Sequence, residues 1–205
     1  MEQRLSGHID DTLILVEHPH VFTLGRRGDR SNLLSDELPV YHVERGGDVT
    51  YHGPGQLVGY PILKLDGHEQ DIRNYLSRLE QVLIATVADF GLKAEHSERQ
   101  TGVWVGEKKL ASIGVAIKSW VTYHGFALNV STDLSYFGKI RPCGLESSTI
   151  TSMETLIGRP VEMAHVKAGV IRHFARIFQR KLENVDYEQL ETNSELRAAI
   201  RLALL

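Results

Sequence analysis

Cys143 is the only cysteine in the chain, and it is the first candidate for covalent chemistry. A single thiol excludes an intrachain disulfide and a multi-cysteine metal site, so its role is that of a buried apolar residue or of a nucleophile. Free cysteine is among the most buried residue types, which favours the first role. Pro142 and Gly144 flank Cys143, however, and place it in a turn rather than in an apolar run. A nucleophile therefore stays open if a neighbouring group can activate the thiol.

Lys109 and His124 are the side chains that could activate a thiol. Lys109 opens the apolar stretch KLASIG, where a lysine is either a solvated charge on an edge strand or a functional amine. The edge charge is the commoner case. His124 precedes Gly125, and a glycine within a strand indicates close approach of a ligand or another backbone. A histidine in this setting is more often structural than catalytic, so both interpretations remain open for each residue.

A glycine-rich stretch at 45–56, RGGDVTYHGPGQ, is the third unusual segment. Its four glycines and one proline predict a loop whose backbone can come close to a ligand. The stretch is neither GxGxxG nor a Walker A motif, so the sequence does not support dinucleotide or P-loop phosphate binding. A simple glycine-rich turn between strands is an equally good interpretation of its composition.

Ten histidines raise the question of a metal site. His18 and His20 are two positions apart, and no other group of candidate ligands shows standard spacing, so we expect no metal. The segment 26–30, RRGDR, is a basic cluster in a chain whose net charge is −3. Such a cluster is usually a solvated loop, and it could also dock an acidic partner.

Composition limits the classes of protein to which the chain can belong. The negative net charge argues against a general nucleic-acid-binding protein. One cysteine fits a reducing compartment. The first residues lack the apolar core of a signal peptide, and no apolar run approaches the ~20 residues that span a bilayer. We therefore expect a monomeric cytoplasmic protein that binds neither nucleic acid nor membrane.

The hydrophobic pattern predicts strands first, then a helix, more strands and a final helix. Apolar runs predict strands at 11–17, 21–24, 40–44, 56–65, 102–106, 109–118 and 121–130. Three- and four-residue spacing predicts amphipathic helices at 70–90 and 162–181, with a short helix at 151–157. Gly59 and Pro61 suggest that the strand at 56–65 lies at an edge or contains a bulge. The order indicates an α+β fold with a mixed β-sheet and flanking helices.

We expect one catalytic domain at 1–182 and a C-terminal tail at 183–205. The tail is acidic at its start and apolar at its end, which is typical of a small docking helix.

Taken together, several of these segments resemble the octanoyltransferases of lipoate biosynthesis, members of the biotin and lipoate protein ligase superfamily. The matching stretches begin at Glu17 (EHPHVFTLGRRG), Arg45 (RGGDVTYHGPGQLVGYP), Thr101 (TGVWV), Lys109 (KLASIGVAI), His124 (HGFALNV), Asp133 (DLSYF) and Arg141 (RPCGL), with ITSM following. They cover most of the chain from about residue 11 to 160. Members of the family usually start with an additional strand and helix before the equivalent of residue 11, so we expect this chain to have a truncated or misassigned start.

The resemblance implies an enzyme, a partner set and a fold. Its members are acyltransferases that take octanoyl from acyl carrier protein and pass it to a lysine of a lipoyl domain. The acceptors are the 2-oxoacid dehydrogenases and the glycine cleavage H protein. The acyl group arrives on the phosphopantetheine of the carrier, so no further cofactor is expected. The implied fold is that of the biotin and lipoate protein ligases.

The resemblance also implies roles for individual residues. Cys143 is similar to the acyl-thioester nucleophile of the family, and Lys109 to the group that activates it. The expected walls of the acyl-substrate site are Arg45, Gly46, Gly47, Asp48, Val49, Thr50, Tyr51, His52, Ser112, Ile113, Gly114, Gly125, Phe126 and Ala127. Independently of the resemblance, an eight-carbon chain needs an apolar slot, for which Tyr51, Ile113 and Phe126 are candidates. Our own hypothesis for His52 and His124 is that they shape the site or hydrogen-bond the acceptor amine.

The chemistry of these residue types suits the implied reaction. An isolated thiol has a pKa of about 8.5 and is mostly protonated near neutrality, and a nearby lysine ammonium favours the thiolate. The same lysine, once it has lost its proton, could accept one from the acceptor amine. Acidic partner proteins would be attracted by a basic rim, for which the candidates are Arg26, Arg27, Arg30, Lys139 and Arg141.

Three alternatives remain at the level of sequence. An ATP-dependent lipoate–protein ligase would share the fold and need no cysteine. An amidotransferase acting between lipoyl domains would use a cysteine thioester in a different sequence setting. A non-catalytic module would merely bind lipoyl domains or acyl carrier protein, and a meeting of Lys109 and Cys143 in space would argue against it.

Overall fold

Two β-sheets form the centre of the molecule. The computed structural model describes residues 1–35, 37–97, 100–141 and 147–183. Within them, the larger sheet has the strand order β1-β5-β9-β8-β7-β6, with all neighbours antiparallel. Its strands are β1 (Thr12–Val16), β5 (Gln56–Ile62), β6 (Glu95–His96), β7 (Gly102–Val105), β8 (Lys108–Lys118) and β9 (Val121–Asn129).

The smaller sheet has the order β3-β2-β4, with β2 parallel to β3 and antiparallel to β4. Its strands are β2 (Val21–Leu24), β3 (Val40–His42) and β4 (Val49–His52). Strand β4 lies inside the glycine-rich stretch, so the prediction of a loop for all of 45–56 was wrong. Val49 and Tyr51 alternate with Thr50 and His52 in burial, and this alternation is the reason that the segment forms a strand.

The described part of the chain contains four α-helices besides short 3-10 turns: α1 (Glu2–Leu5), α2 (Ile72–Ala88), α3 (Met153–Ile157) and α4 (Met163–Phe178). The Asp71 carboxylate caps α2 by accepting from the N–H groups of Arg73 and Asn74. Helices α2 and α4 pack on one face of the larger sheet, and their apolar stripes form the main core with residues such as Leu57, Leu128 and Phe174. No helix among these described residues is long and apolar enough to cross a membrane.

Strand β5 lies inside the sheet, between β1 and β9, so the prediction of an edge strand or a bulge from Gly59 and Pro61 was wrong. The pairing explains how the proline is accommodated. Strand β9 pairs with β5 only from Gln56 to Gly59, and Pro61 lies beyond that ladder, where its missing N–H breaks no strand bond. The other predicted strands and helices are confirmed, with ends shifted by a few residues.

The face of the larger sheet opposite the helices is turned toward the smaller sheet. Leu57 and Leu128 pair in register and point to the helices, so their neighbours Gln56 and Asn129 point to the other side. The smaller sheet buries its own cluster, which includes Phe22, Val49 and Tyr51. Its opposite side carries Thr23, Thr50 and His52. We call the space between these two polar surfaces the inter-sheet region.

Candidate active site

The glycine-rich stretch lies directly on β8. The Gly46 N–H donates to the carbonyl oxygen of Val115 at 2.9 Å. A Cβ atom added at Gly114 would lie 3.1 Å from the Gly46 carbonyl oxygen and 3.2 Å from Arg45 Cδ. Glycine is favoured at this position because a Cβ atom would make tight contacts with the neighbouring backbone. The contact fixes one wall of the inter-sheet region.

Arg45 is a buried cation within this wall, with 9% of its surface exposed. Its guanidinium donates to the carbonyl oxygen of Thr23 at 2.7 Å, to Thr23 Oγ1 at 2.9 Å and to the Gly46 carbonyl oxygen at 3.0 Å. These hydrogen bonds connect the glycine-rich stretch to β2, and they offset the free-energy cost of burying the charge. Arg45 therefore holds the loop and supplies a fixed positive charge to its surroundings.

Lys109 reaches the same region because β8 contains a β-bulge. The pairing of β7 with β8 shifts between Val103 and Trp104, and Leu110 and Ala111 both join the helix-side core. Strict alternation would put Lys109 on the side of Ala111, whereas the bulge turns it toward the side of Ser112. The residue is only 7% exposed, and its ammonium lies 5.5 Å from the Trp104 ring centroid. Lys109 is thus a buried amine, which contradicts its interpretation as a solvated edge charge.

Gly102 makes room for the lysine side chain. A Cβ atom at this position would lie 2.4 Å from the Ala111 carbonyl oxygen and 2.8 Å from Lys109 Cε, and the φ angle of +138° also disfavours other residues.

The chain that follows Cys143 runs beside Lys109. Ile150 forms a parallel bridge with Lys109, and the Thr151 N–H donates to the Lys109 carbonyl oxygen at 3.0 Å. On the other side of Cys143, the Arg141 N–H donates to the Asn32 carbonyl oxygen at 2.8 Å. Cys143 itself, with residues 142–146, lies outside the described residues. The role predicted for Cys143 therefore stays a prediction.

Two histidines of the inter-sheet region are held neutral. Burial lowers the pKa of His52 to about 3, and the nearby charge of Arg45 adds to this effect. Burial and Arg45 likewise lower the pKa of His124 to about 4. His124 has a φ angle of +56°, a left-handed conformation that is rare for residues other than glycine and is found mainly at turns and functional sites. Uncharged imidazoles are hydrogen-bonding groups rather than cations.

Most of the remaining predicted wall residues divide into two groups, and Thr50 lies on the inter-sheet side of β4 beside Thr23. Gly46, Gly47, Ser112, Gly114, Gly125 and Ala127 belong to the glycine-rich stretch or to the inter-sheet side of β8 and β9. The side chains of Val49, Tyr51, Ile113 and Phe126 pack in the two apolar cores. Asp48 accepts hydrogen bonds from the Asp29 N–H and from Asn32 Nδ2, so it stabilises the loop that contains these two residues. The three residues suggested for an apolar slot thus offer backbone rather than side chains to the inter-sheet region.

Gln56 and Asn129 were not among the predicted site residues. Both are buried polar side chains on the inter-sheet face, and Gln56 accepts a hydrogen bond from His52 at 2.7 Å through its Oε1. A polar residue in an apolar strand was the available signal, because buried amides require partners.

His18 and His20 each have a tyrosine partner: His18 bonds the hydroxyl of Tyr60 at 2.6 Å, and His20 that of Tyr51 at 2.8 Å. Among the described residues, no group of three or more potential ligands is arranged to hold a metal ion.

The described residues therefore supply several groups that can take part in proton transfer and in ligand binding. They offer a buried amine for moving a proton, backbone groups close to a ligand, and neutral histidines that can accept hydrogen bonds.

Proteins of similar sequence identify the family of the chain. The family model of the lipoyl protein ligase A/B catalytic domain matches residues 1–175. An octanoyltransferase of Syntrophotalea carbinolica is 53% identical over 174 residues, which are 85% of this chain and 82% of the relative. An octanoyltransferase of Solibacter usitatus is 52% identical over 182 residues, with the same coverage of 85% and 82%.

Solved structures agree on the fold. A lipoate protein ligase of T. acidophilum with bound lipoic acid superposes with a TM-score of 0.72 at 17% identity and covers 91% of this chain and 80% of its own. Lipoate-protein ligase A bound with ATP gives a TM-score of 0.71, also at 17% identity, over 91% and 81% of the two chains. The predicted α+β fold of the lipoate protein ligases is confirmed. The chain belongs to the family of the lipoyl protein ligase A/B catalytic domain and, within it, to the octanoyltransferases, which are acyltransferases of the lipoate pathway.

Proposed function

We propose that this enzyme transfers octanoyl from octanoyl-acyl carrier protein to a lysine of lipoyl domains through a thioester on Cys143, the first step of endogenous protein lipoylation. The observation that supports it most directly is the position of Lys109. Lys109 is a buried amine on the inter-sheet face of β8, and its backbone pairs with the segment that follows the chain's single cysteine.

The first half-reaction loads the enzyme. The Cys143 thiolate attacks the donor carbonyl carbon, a new C–S bond forms, and the C–S bond to phosphopantetheine breaks. The Lys109 ammonium gives its proton to the departing thiolate, so Lys109 is left as a neutral amine. Backbone N–H groups of the glycine-rich stretch are suitable donors for the oxyanion formed in this step.

The second half-reaction unloads the enzyme. The neutral amine of the acceptor lysine attacks the Cys143 thioester, a C–N bond forms, and the C–S bond to Cys143 breaks. The surplus proton on nitrogen passes to the Lys109 amine, which restores the original thiolate–ammonium pair. Conversion of a thioester into an amide is downhill, so the cycle requires neither ATP nor a bound cofactor.

Intact-mass spectrometry after mixing with octanoyl-acyl carrier protein tests this proposal. We expect one octanoyl adduct that hydroxylamine removes, and no adduct on Cys143→Ala. A folded wild-type protein that gains no adduct would contradict the proposal. Activity of Cys143→Ala with ATP and free octanoate would instead indicate a ligase, for which the shared fold is the supporting observation.

A further inference from the structure

A chain of buried amide groups joins His52 to the strand that carries Lys109. Gln56 and Asn129 are 1% and 4% exposed. Gln56 Nε2 donates to Asn129 Oδ1 at 2.9 Å, and Asn129 Nδ2 donates to the Thr151 carbonyl oxygen at 3.0 Å. The Thr151 N–H in turn donates to the Lys109 carbonyl oxygen. The mechanism above assigns no role to this network.

The network fixes which nitrogen of His52 carries the proton. A backbone carbonyl can only accept, so the bond from Gln56 to the Tyr51 carbonyl oxygen, at 3.2 Å, identifies the Gln56 amide nitrogen. The bond from Asn129 to Thr151 identifies the Asn129 amide nitrogen in the same way. Gln56 Oε1 therefore faces His52 Nδ1, and Nδ1 must donate. In the neutral ring, Nε2 is left with its lone pair.

The His52 ring, which carries this lone pair, lies on the inter-sheet side of β4. Tyr51 points into the core of the smaller sheet, so the next residue, His52, points to the side that carries Arg45 and faces the larger sheet. No hydrogen bond from a described residue reaches His52 Nε2, although Nδ1 is firmly bound. A half-buried imidazole is thus held in one tautomer, and no described residue uses the lone pair of its acceptor nitrogen.

We propose that His52 Nε2 accepts a hydrogen bond from the attacking amine of the acceptor lysine, and that Gln56 and Asn129 are positioning residues that hold the ring in the required tautomer. The inference rests on the proposed function. An amine has two N–H bonds and one lone pair, so an acceptor for one N–H turns the lone pair toward the thioester carbon. Proton transfer stays with Lys109.

The surroundings of His52 favour this role over that of a base. Burial and the Arg45 guanidinium keep the ring neutral at working pH, so its lone pair is not lost to a proton. His18 and His124 are its other titratable neighbours, and burial lowers the pKa of each. A neutral acceptor also avoids placing a positive charge beside the incoming amine.

Measuring the rates of loading and of transfer separately distinguishes this role of His52 from a purely structural one. The tests use octanoyl-acyl carrier protein as donor and an unmodified lipoyl domain as acceptor. In His52→Asn the amide nitrogen can still bond Gln56, while the acceptor at the Nε2 position is lost. We expect transfer to the lipoyl domain to be about 10- to 100-fold slower, and loading of Cys143 to slow by a clearly smaller factor. The exposed His68→Asn is the matched control, with both rates unchanged.

A second variant and a second nucleophile test whether the loss of rate comes from the missing hydrogen-bond acceptor. His52→Gln restores an acceptor near the Nε2 position, so part of the transfer rate should return. Hydroxylamine is small and needs no orientation, so it should discharge the loaded His52→Asn enzyme at the wild-type rate. Equal losses in loading and transfer, or no loss in either, would overturn the inference. Loading of the wild-type protein is measured first. A wild-type protein that gains no octanoyl group would contradict the proposed function, and with it this inference, before any variant is compared.

Nitrogen-15 NMR of the histidine side chains gives a test that does not depend on the variants' activity. We expect wild-type His52 to carry its proton on Nδ1, and Gln56→Met to show a shift of population toward the Nε2–H tautomer with a matching loss of transfer rate. A wild-type His52 with its proton on Nε2 would overturn the inference.

Discussion

Lys109 is a charged side chain in a place where charges are rare. It is 7% exposed, its stem passes Gly102, and its ammonium lies near the Trp104 ring. Burying a lysine costs free energy, and lysine is almost never fully buried unless it is paired. Its presence is therefore better explained by the proposed chemistry than by stability.

Lys109→Met tests the activating role at the level of the single residue. Methionine keeps an unbranched apolar stem over Trp104 and removes the ammonium. We expect the apparent pKa of the Cys143 thiol to rise by about 1 to 2 units, because an opposite charge nearby favours the thiolate. The rate of alkylation by iodoacetamide, followed across pH, measures this pKa.

Lys108→Met is the control for that experiment. Lys108 precedes Lys109 but is exposed, and it donates to the Ser148 carbonyl oxygen. Its removal should leave the alkylation profile unchanged. Identical profiles for wild type and Lys109→Met would contradict the assignment of Lys109 as the activating group.

At the scale of elements, sequence patterns predicted most strands and helices but not how the site residues face one another. The apolar runs of β1 and β9 and the helical spacing of α2 and α4 carry strong local signals. Strand β4 was missed because its glycine-rich flanks suggest a loop. The central position of β5 was missed because a proline usually marks an edge.

The position of the predicted site residues depends on pairings between strands that are distant in sequence. The bulge that turns Lys109 toward the inter-sheet side becomes visible only when β7 is aligned with β8. Likewise, Gln56 and Asn129 meet because β5 pairs with β9. Motif resemblance did bring Lys109, His52 and the glycines into one predicted site, because it draws on the whole pattern rather than on local periodicity.

The close contacts between strands predict which glycine-to-alanine substitutions destabilise the protein most. A Cβ atom at Gly125 would lie 2.1 Å from the Gly59 carbonyl oxygen, and backbone atoms cannot move aside cheaply. At Gly114 the corresponding contacts are 3.1 Å or longer. We expect Gly125→Ala to lower the free energy of unfolding by about 3 kcal/mol or more, and Gly114→Ala by about 1 kcal/mol.

Urea unfolding measures both values. Gly138→Ala is the control, because no heavy atom lies within 4 Å of an added Cβ and its φ angle is not in the left-handed region. That variant should be neutral or slightly more stable. A Gly125→Ala protein as stable as Gly138→Ala would show that β5 and β9 do not approach as described.

For the molecule as a whole, the buried histidines make stability depend on pH. The pKa values of His52 and His124 are lowered from 6.5 to about 3 and about 4. Below pH 6.5 the unfolded chain therefore binds protons that the folded protein does not, so stability falls as pH falls. Each histidine should cost about 2 kcal/mol on going from about pH 7 to about pH 5.

His124→Asn isolates one of these contributions. Asparagine tolerates the left-handed backbone at this position and does not titrate. The loss of unfolding free energy between the two pH values, measured in urea, should be smaller by about 2 kcal/mol than in wild type. The exposed His68→Asn should match wild type, and a His124→Asn protein with the wild-type pH dependence would contradict the buried, neutral state of His124.

The distribution of surface charge predicts how protein substrates reach the site. Arg26 and Arg27 are exposed, and their backbone N–H groups donate to the carbonyl oxygens of Arg45 and Gly47, so they lie at the rim of the glycine-rich stretch. Lys139, also predicted for this rim, is paired with Glu37. Arg26 and Arg27 are therefore the better candidates for attracting an acidic partner.

Reversing both charges tests this steering. In Arg26→Glu/Arg27→Glu, KM for octanoyl-acyl carrier protein should rise about tenfold at about 0.05 M salt, and the difference from wild type should shrink toward none at about 0.5 M because salt screens exposed charges. The neutral thioester octanoyl-N-acetylcysteamine should show no such change. The control Arg73→Glu/Lys93→Glu makes the same change in net charge at exposed positions on α2 and in the segment that follows it. Equal effects in the two double variants, or a difference that salt does not reduce, would mean that net charge or folding rather than a basic rim determines KM.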